Sequence, residues 1–244
     1  MKFALINGEK IEAKKGVNDA ICPICKALVI PKCGEVKIHH WAHKKKIECD
    51  HWWENETEWH RDWKNHFPAD WQEIVHISDD NEKHIADIKT PSGLVVEFQH
   101  SPIETEEIIS RNNFYKNIVW VVDGKRRKND ERFFNSENSR LIKQWGNIGK
   151  SVFIDFGKPL LRFLEPLGDG RLQIGHIKKD KFIKLIYNYT DINQPQQQIS
   201  QEELKRIHQD RVINQRISNL RRLRRSRNRR AQETPATRFP PLQG

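Results

Sequence analysis

The chain has 244 residues, 43 of them Lys or Arg and 33 Asp or Glu, for a formal net charge of +10. Its longest unbroken aliphatic or aromatic run, Ile118 to Val122, has five residues, far short of the roughly 20 that a membrane-spanning helix needs, and no secretory h-region follows the N-terminus. These features exclude a membrane-inserted protein and predict an intracellular, cytoplasmic one with a polyanionic partner.

Residues 1–20 read as a short strand, a Gly turn and a linker. In residues 21–51, Val29-Ile30 and Val36 to Trp41 flank Pro31-Lys32-Cys33-Gly34, which predicts a small β-hairpin. Glu54 to about Phe67 has helical chemistry, with Pro68 as its stop. Three strands are expected at Glu73 to Ile77, His84 to Thr90 and Leu94 to His100, the last two joined by Pro91-Ser92-Gly93. A helix from about Glu104 to Lys116 and a strand from Asn117 to Val122 complete an α/β core with a mixed sheet flanked by helices. A polar loop runs from Lys125 to about Glu137. Strand-like stretches follow at Ser151 to Phe156, Leu160 to Phe163 and Leu172 to Ile177, then a closing helix at Lys181 to Tyr187. The predicted organisation is an N-terminal strand and Cys/His module (1–51), a core (52–125), an α/β extension (126–187), a polar linker (188–204) and a basic amphipathic tail (205–244).

All four Cys lie between positions 22 and 49, among His residues, a pattern of metal binding rather than of disulfides. Cys22-x2-Cys25 and His40-x2-His43 offer two ligand pairs, and the hairpin between them brings them to one structural Zn²⁺. Cys33, His39, Cys49 and His51 are competing ligands. With four protein ligands, such a zinc holds the fold and leaves no open position for catalysis.

The stretch around Asp87 and Glu97 is the most informative. Alternation puts Val95, Glu97 and Gln99 on one strand face, and the short connection lets Asp87 on the neighbouring strand converge with Glu97. Two such carboxylates repel unless a cation lies between them, and Mg²⁺ takes oxygen ligands of this kind. Glu56, His60 and Lys64 share one helical face. Glu56 is a candidate third acid, with Glu58 its competitor, and His60 a candidate for proton transfer.

These residues resemble a known family. Cys22-x2-Cys25, His40-x2-His43, Glu56-Thr-Glu-Trp-His60-x3-Lys64, Ala86-Asp87, Glu97-Phe-Gln99-His-Ser101 and Arg111-x3-Tyr115 before Val119-Trp120 are similar to CoiA-like competence proteins. The resemblance implies a zinc-ribbon-like module followed by a restriction-endonuclease-like fold of the PD-(D/E)xK superfamily. It further implies a Mg²⁺- or Mn²⁺-dependent DNA nuclease acting in DNA uptake, processing or recombination. Asp87 and Glu97 are then the metal-binding acids, and Gln99 takes the place of the usual Lys, orienting the attacking water without carrying charge. The alternatives are a non-catalytic DNA-binding module on the same fold and an interaction protein with a basic tail.

Arg111 and Tyr115, four apart on one helix, are candidates for a phosphate clamp, with Lys64 as a further cation. Six of the eight Trp fall between positions 41 and 71; packing of the zinc module against the first helix and stacking on bases are the two readings. Between Lys205 and Arg230 there are eleven basic residues and one acid, with an apolar stripe at Leu204, Ile207, Ile213, Ile217 and Leu220. Arg221, Arg222, Arg224 and Arg225 are expected to contact nucleic acid, possible single-stranded DNA included, and the helix is also a candidate for docking a protein partner.

Overall fold

Asn7 and Gly8 hold φ of 51° and 88°, the pair of positive values that a tight two-residue hairpin requires. They join β1 (Phe3–Ile6) to β2 (Glu9–Glu12), which pair antiparallel. The computed structural model describes residues 1–45, 49–134, 139–167 and 169–189, all within one compact unit, Met1–Asp191. The second unit, Ile192–Gly244, and with it the expected tail helix bearing Arg221, Arg222, Arg224 and Arg225, lies outside the described residues. A second hairpin follows, β3 (Val29–Lys32) against β4 (His40–His43). The strand expected from Val36 starts only at His40, and Val36 is almost fully exposed. Ala4, Ala20, Cys22, Val29 and Trp41 form the core of this module.

The larger body is one mixed sheet. Its strands are β5 (Gln72–Ile77), β6 (Lys83–Lys89), β7 (Val95–Gln99), β8 (Ile118–Asp123), β9 (Val152–Asp155), β10 (Leu160–Pro166) and β11 (Leu172–Lys178), and they lie side by side in chain order. The middle pairs, β7 with β8 and β8 with β9, are parallel, and the other pairs are antiparallel. The stretch expected as a separate extension therefore continues the same sheet through β9 to β11. Every residue of β7 is buried, as befits a strand in a sheet covered on both faces.

Among the described residues, four helices supply that cover: α1 (Glu58–Lys64), α2 (Thr105–Tyr115), α3 (Arg140–Trp145) and α4 (Lys179–Tyr187). Trp63 and Phe67 at α1 and Phe182 and Ile186 of α4 pack with Val96, Phe98 and Val121. Ile108 and Tyr115 of α2 and Leu141 and Trp145 of α3 pack with Val95, Trp120 and Val122. The indole N–H groups of Trp59 and Trp63 both donate to Asp155 Oδ2, at 3.1 and 2.9 Å. These two tryptophans thus dock α1 on the sheet, while Trp41 serves the N-terminal module.

Candidate functional site

The ladder between β6 and β7 closes only at Ile88↔Val96 and Lys89↔Val95. Beyond that point the strands part, and side chains take up the backbone donors. Asp87 N–H donates to Glu97 Oε1 at 3.1 Å, and Phe98 N–H donates to Asp87 Oδ2 at 3.0 Å. On the other side of β6, the register passes from Gln72↔Ile88 to Ile74↔Ala86 without pairing Glu73 to Asp87. Glu73 sits at φ 48°, a left-handed conformation that costs a non-glycine residue on the order of 1 kcal/mol. Its carboxylate is turned back to accept from Lys2 N, Phe3 N and Lys64 Nζ.

Around this opening lies a cleft of about 70 Å³, large enough for an ion and a few waters but too small for a nucleobase. Six carboxylates line it, those of Asp50, Glu54, Glu56, Glu73, Asp87 and Glu97, against the side-chain cations of Lys64 and Arg111. Each expected metal acid has a cation from a different helix behind it. Arg111 Nη1 of α2 is 3.1 Å from Glu97 Oε2, and Lys64 Nζ of α1 is 3.7 Å from Asp87 Oδ1. Burial, then the neighbouring Asp87 charge, pushes the Glu97 carboxyl up to about 8 despite Arg111. Burial disfavours charge on Lys64, but Glu73, Asp87 and Glu56 together override it and hold its ammonium well above the usual range. Glu73 is likewise buried, yet Lys64, the N-terminal ammonium and the two backbone N–H groups bring it down to about 2.

The expected acids, amide and cations all have protein partners. Glu56 lines the cleft ahead of Glu58, but not as a helical residue: it precedes the cap Thr57, and its carboxylate is held by Arg61 and by Lys64 at 2.7 Å. His60, expected to transfer protons, lines the cleft with its ring held at both nitrogens. Its Nδ1 accepts from the Thr57 hydroxyl at 2.9 Å and its Nε2 donates to Phe98 O at 2.8 Å, so both ring nitrogens are occupied, and burial lowers its pKa. It closes the α1 capping box and pins the backbone of β7. Arg111, expected in a phosphate clamp, is buried and bonded to Glu97, Glu107 and Trp52 O, and Lys64 is equally enclosed by carboxylates. Tyr115 is buried and lines the cleft. Gln99 lies outside the cleft lining, its amide donating to Glu54 Oε1 and to Ser101 O.

Sequence reasoning missed Glu54 and Glu73. Glu54 Oε2 is buried with no hydrogen-bond partner, the one such side-chain atom among the described residues. A buried carboxylate oxygen without a donor is costly, and together with the acidic surplus it fits a hard divalent cation held by oxygen ligands.

The N-terminal module gathers a second group. Sγ of Cys22, Cys25 and Cys49 and a ring nitrogen of His43 lie within 4.8 Å of one another. Cys22 Sγ to Cys49 Sγ is 3.7 Å, and Cys25 Sγ and Cys49 Sγ are 3.3 and 3.6 Å from His43 Nε2. These are the edges of a tetrahedron with bonds of about 2.3 Å, and no disulfide forms. Burial first, then the facing thiols, raises the pKa of Cys49, a crowding that a dication relieves. The cluster can hold a metal such as zinc. Its fourth member is Cys49, where His40 was expected. Both histidines are on β4, three residues apart, and alternation sends them to opposite faces; His40 Nδ1 instead bonds Ile38 O.

A seven-stranded mixed sheet between helices, opened at a pair of acids and preceded by a Cys3His module, defines a nuclease-like α/β protein. Residues 5–51 match the competence protein CoiA, N-terminal domain, and residues 80–148 match the competence protein CoiA, nuclease-like domain. Both domain models match in this order, and together they support a CoiA-like competence protein family. Residues 52–79, which carry Glu54, Lys64 and Glu73, fall between the two matches. No curated protein and no solved structure matches the chain.

Proposed function

We propose that this protein is a Mg²⁺- or Mn²⁺-dependent DNA nuclease that hydrolyses phosphodiester bonds during DNA uptake, processing or recombination. The observation that carries the proposal is the unpartnered Glu54 Oε2 in a cleft with Asp87 and Glu97. Asp87, Glu97 and Glu54 would hold the ion, which supplies an acidified water and offsets charge on the phosphoryl oxygens. The chain's own residues keep these acids in place. Arg111 fixes Glu97, Gln99 fixes Glu54, and His60 fixes the Phe98 peptide whose N–H bonds Asp87. Lys64, beside Asp87, contributes the positive charge that Gln99 lacks.

The test is cleavage of single- and double-stranded DNA with added Mg²⁺ or Mn²⁺. Asp87→Asn and Glu97→Gln are each expected to lower the rate by 10²-fold or more, the scale on which a group stabilising the transition state is felt; variants as fast as the wild type would remove the assignment. A non-catalytic DNA-binding module is the second reading, favoured by the pairing of both acids with cations. DNA binding that persists in the variants, with no cleavage by the wild type under either metal, would select it.

A further inference from the structure

A second cluster of imidazole and carboxylate groups lies beyond the cleft. The ligand atoms of His51, Glu82 and His84 lie within 4.8 Å of one another. His84 is buried on β6, and its ring is stacked on Trp52 with centroids 3.3 Å apart and planes at 17°. Its Nδ1 is 2.7 Å from Asp50 Oδ1, so Nε2 is aimed at the exposed side of the cluster, 2.9 Å from Glu82 Oε1. The His51 ring stands edge-on to that of His84 at 4.9 Å between centroids.

These groups are set in place by the backbone. Glu82 closes the β5–β6 turn, its N–H donating to Ser78 Oγ and its carbonyl accepting from Ser78 N. His51 is flanked by Asp50 and Trp52, the two residues that hold His84, and Asp50 Oδ1 also accepts from Trp52 N at 3.0 Å. An imidazole whose far nitrogen is bonded to a carboxylate is the arrangement that orients a histidine toward a metal and raises its basicity. Two imidazoles and one carboxylate form a borderline ligand set, suited to Zn²⁺ and poorly suited to Mg²⁺.

We propose that His84 Nε2, His51 and Glu82 form a transition-metal site, separate from the Cys3His cluster, that binds Zn²⁺ with a fourth position open to water. The site ties the segment after Cys49 to the β5–β6 turn. Cys49, Asp50 and His51 then serve the thiolate cluster, the acidic cleft and this site in succession. The inference stands independently of the nuclease reading.

The experiment counts zinc bound per chain after saturation and dialysis, by elemental analysis on the full-length protein. Wild type is compared with the double variant His51→Ala, Glu82→Gln and, to exclude the cleft, with Asp87→Asn, Glu97→Gln. His51 and Glu82 are exposed, so the double variant is expected to fold, and retention of the thiolate-bound metal, read from the Co²⁺–thiolate absorption, confirms that it has. The proposal predicts a loss of one zinc per chain in the His51/Glu82 variant alone. An unchanged count in that variant, or the same loss in the acid variant, overturns it.

Discussion

Lys64 is enclosed by three carboxylates, with Glu56 at 2.7 Å, Glu73 at 3.0 Å and Asp87 at 3.7 Å. Removing its charge would strand them in a buried site, and breaking a buried ion pair from one side costs about 3–5 kcal/mol. Lys64→Met is therefore expected to destabilise the protein by that order, read from its denaturant midpoint, while Glu58→Ala at the exposed rim should change little. Glu97 gives a dependence on pH of opposite sign to that of an ordinary paired acid. In the fold its carboxyl stays protonated up to about 8, whereas its ordinary value is 4.5. Between those values the unfolded chain has released a proton that the folded chain retains, so stability falls as pH rises through the interval and levels off above about 8. Glu97→Gln should flatten that slope in melting curves recorded without added magnesium. The pair Asp87 and Glu97 was legible in the sequence because strand alternation and a short turn are local rules. Glu54 and Glu73 were not, because one lies on an irregular segment and the other owes its place to a left-handed backbone that no local pattern marks.

Strands β5 to β8 and helix α2 were legible to within a residue or two, since apolar alternation and the Pro91-Ser92-Gly93 turn delimit them. Helix α1 was read too long. Thr57 caps it, accepting from His60 N, and the acidic residues before the cap form the loop that feeds the cleft. Helix α3 was missed altogether: at six residues, with Ser139 capping Ile142 N, it is too short to display a period. The two-histidine motif shows the cost of reading spacing without conformation, because a strand was already expected through Trp41 and a three-residue step along it reverses the face. Cys49→Ser and His43→Ala should each cost the N-terminal module its metal, and His40→Ala should keep it; metal content and the melting of the module distinguish them. Retention in the first two and loss in the third would restore His40 to the ligand set.

Over the whole chain, charge and architecture divide. Residues 1–204 contain 31 basic and 31 acidic residues, and residues 205–244 contain 12 and 2, so the entire +10 lies in the second set. Deleting residues 205–244 is expected to weaken DNA binding and to reduce its dependence on salt, since neutralised phosphates set that slope, while metal-dependent cleavage of a short substrate at low salt persists. A salt slope unchanged by the deletion would assign the phosphate contacts to the first unit, Met1–Asp191, instead. Within that unit, the parting of β6 and β7 has a further consequence. Asp87 and Glu97 each give one oxygen to a backbone N–H across the gap and the other to a helix cation. The two acids are thus cross-links between the sheet and the helices on both of its faces. The spacing of the acids is therefore coupled to the seating of α1 and α2 on the sheet, because the same side chains make both sets of contacts.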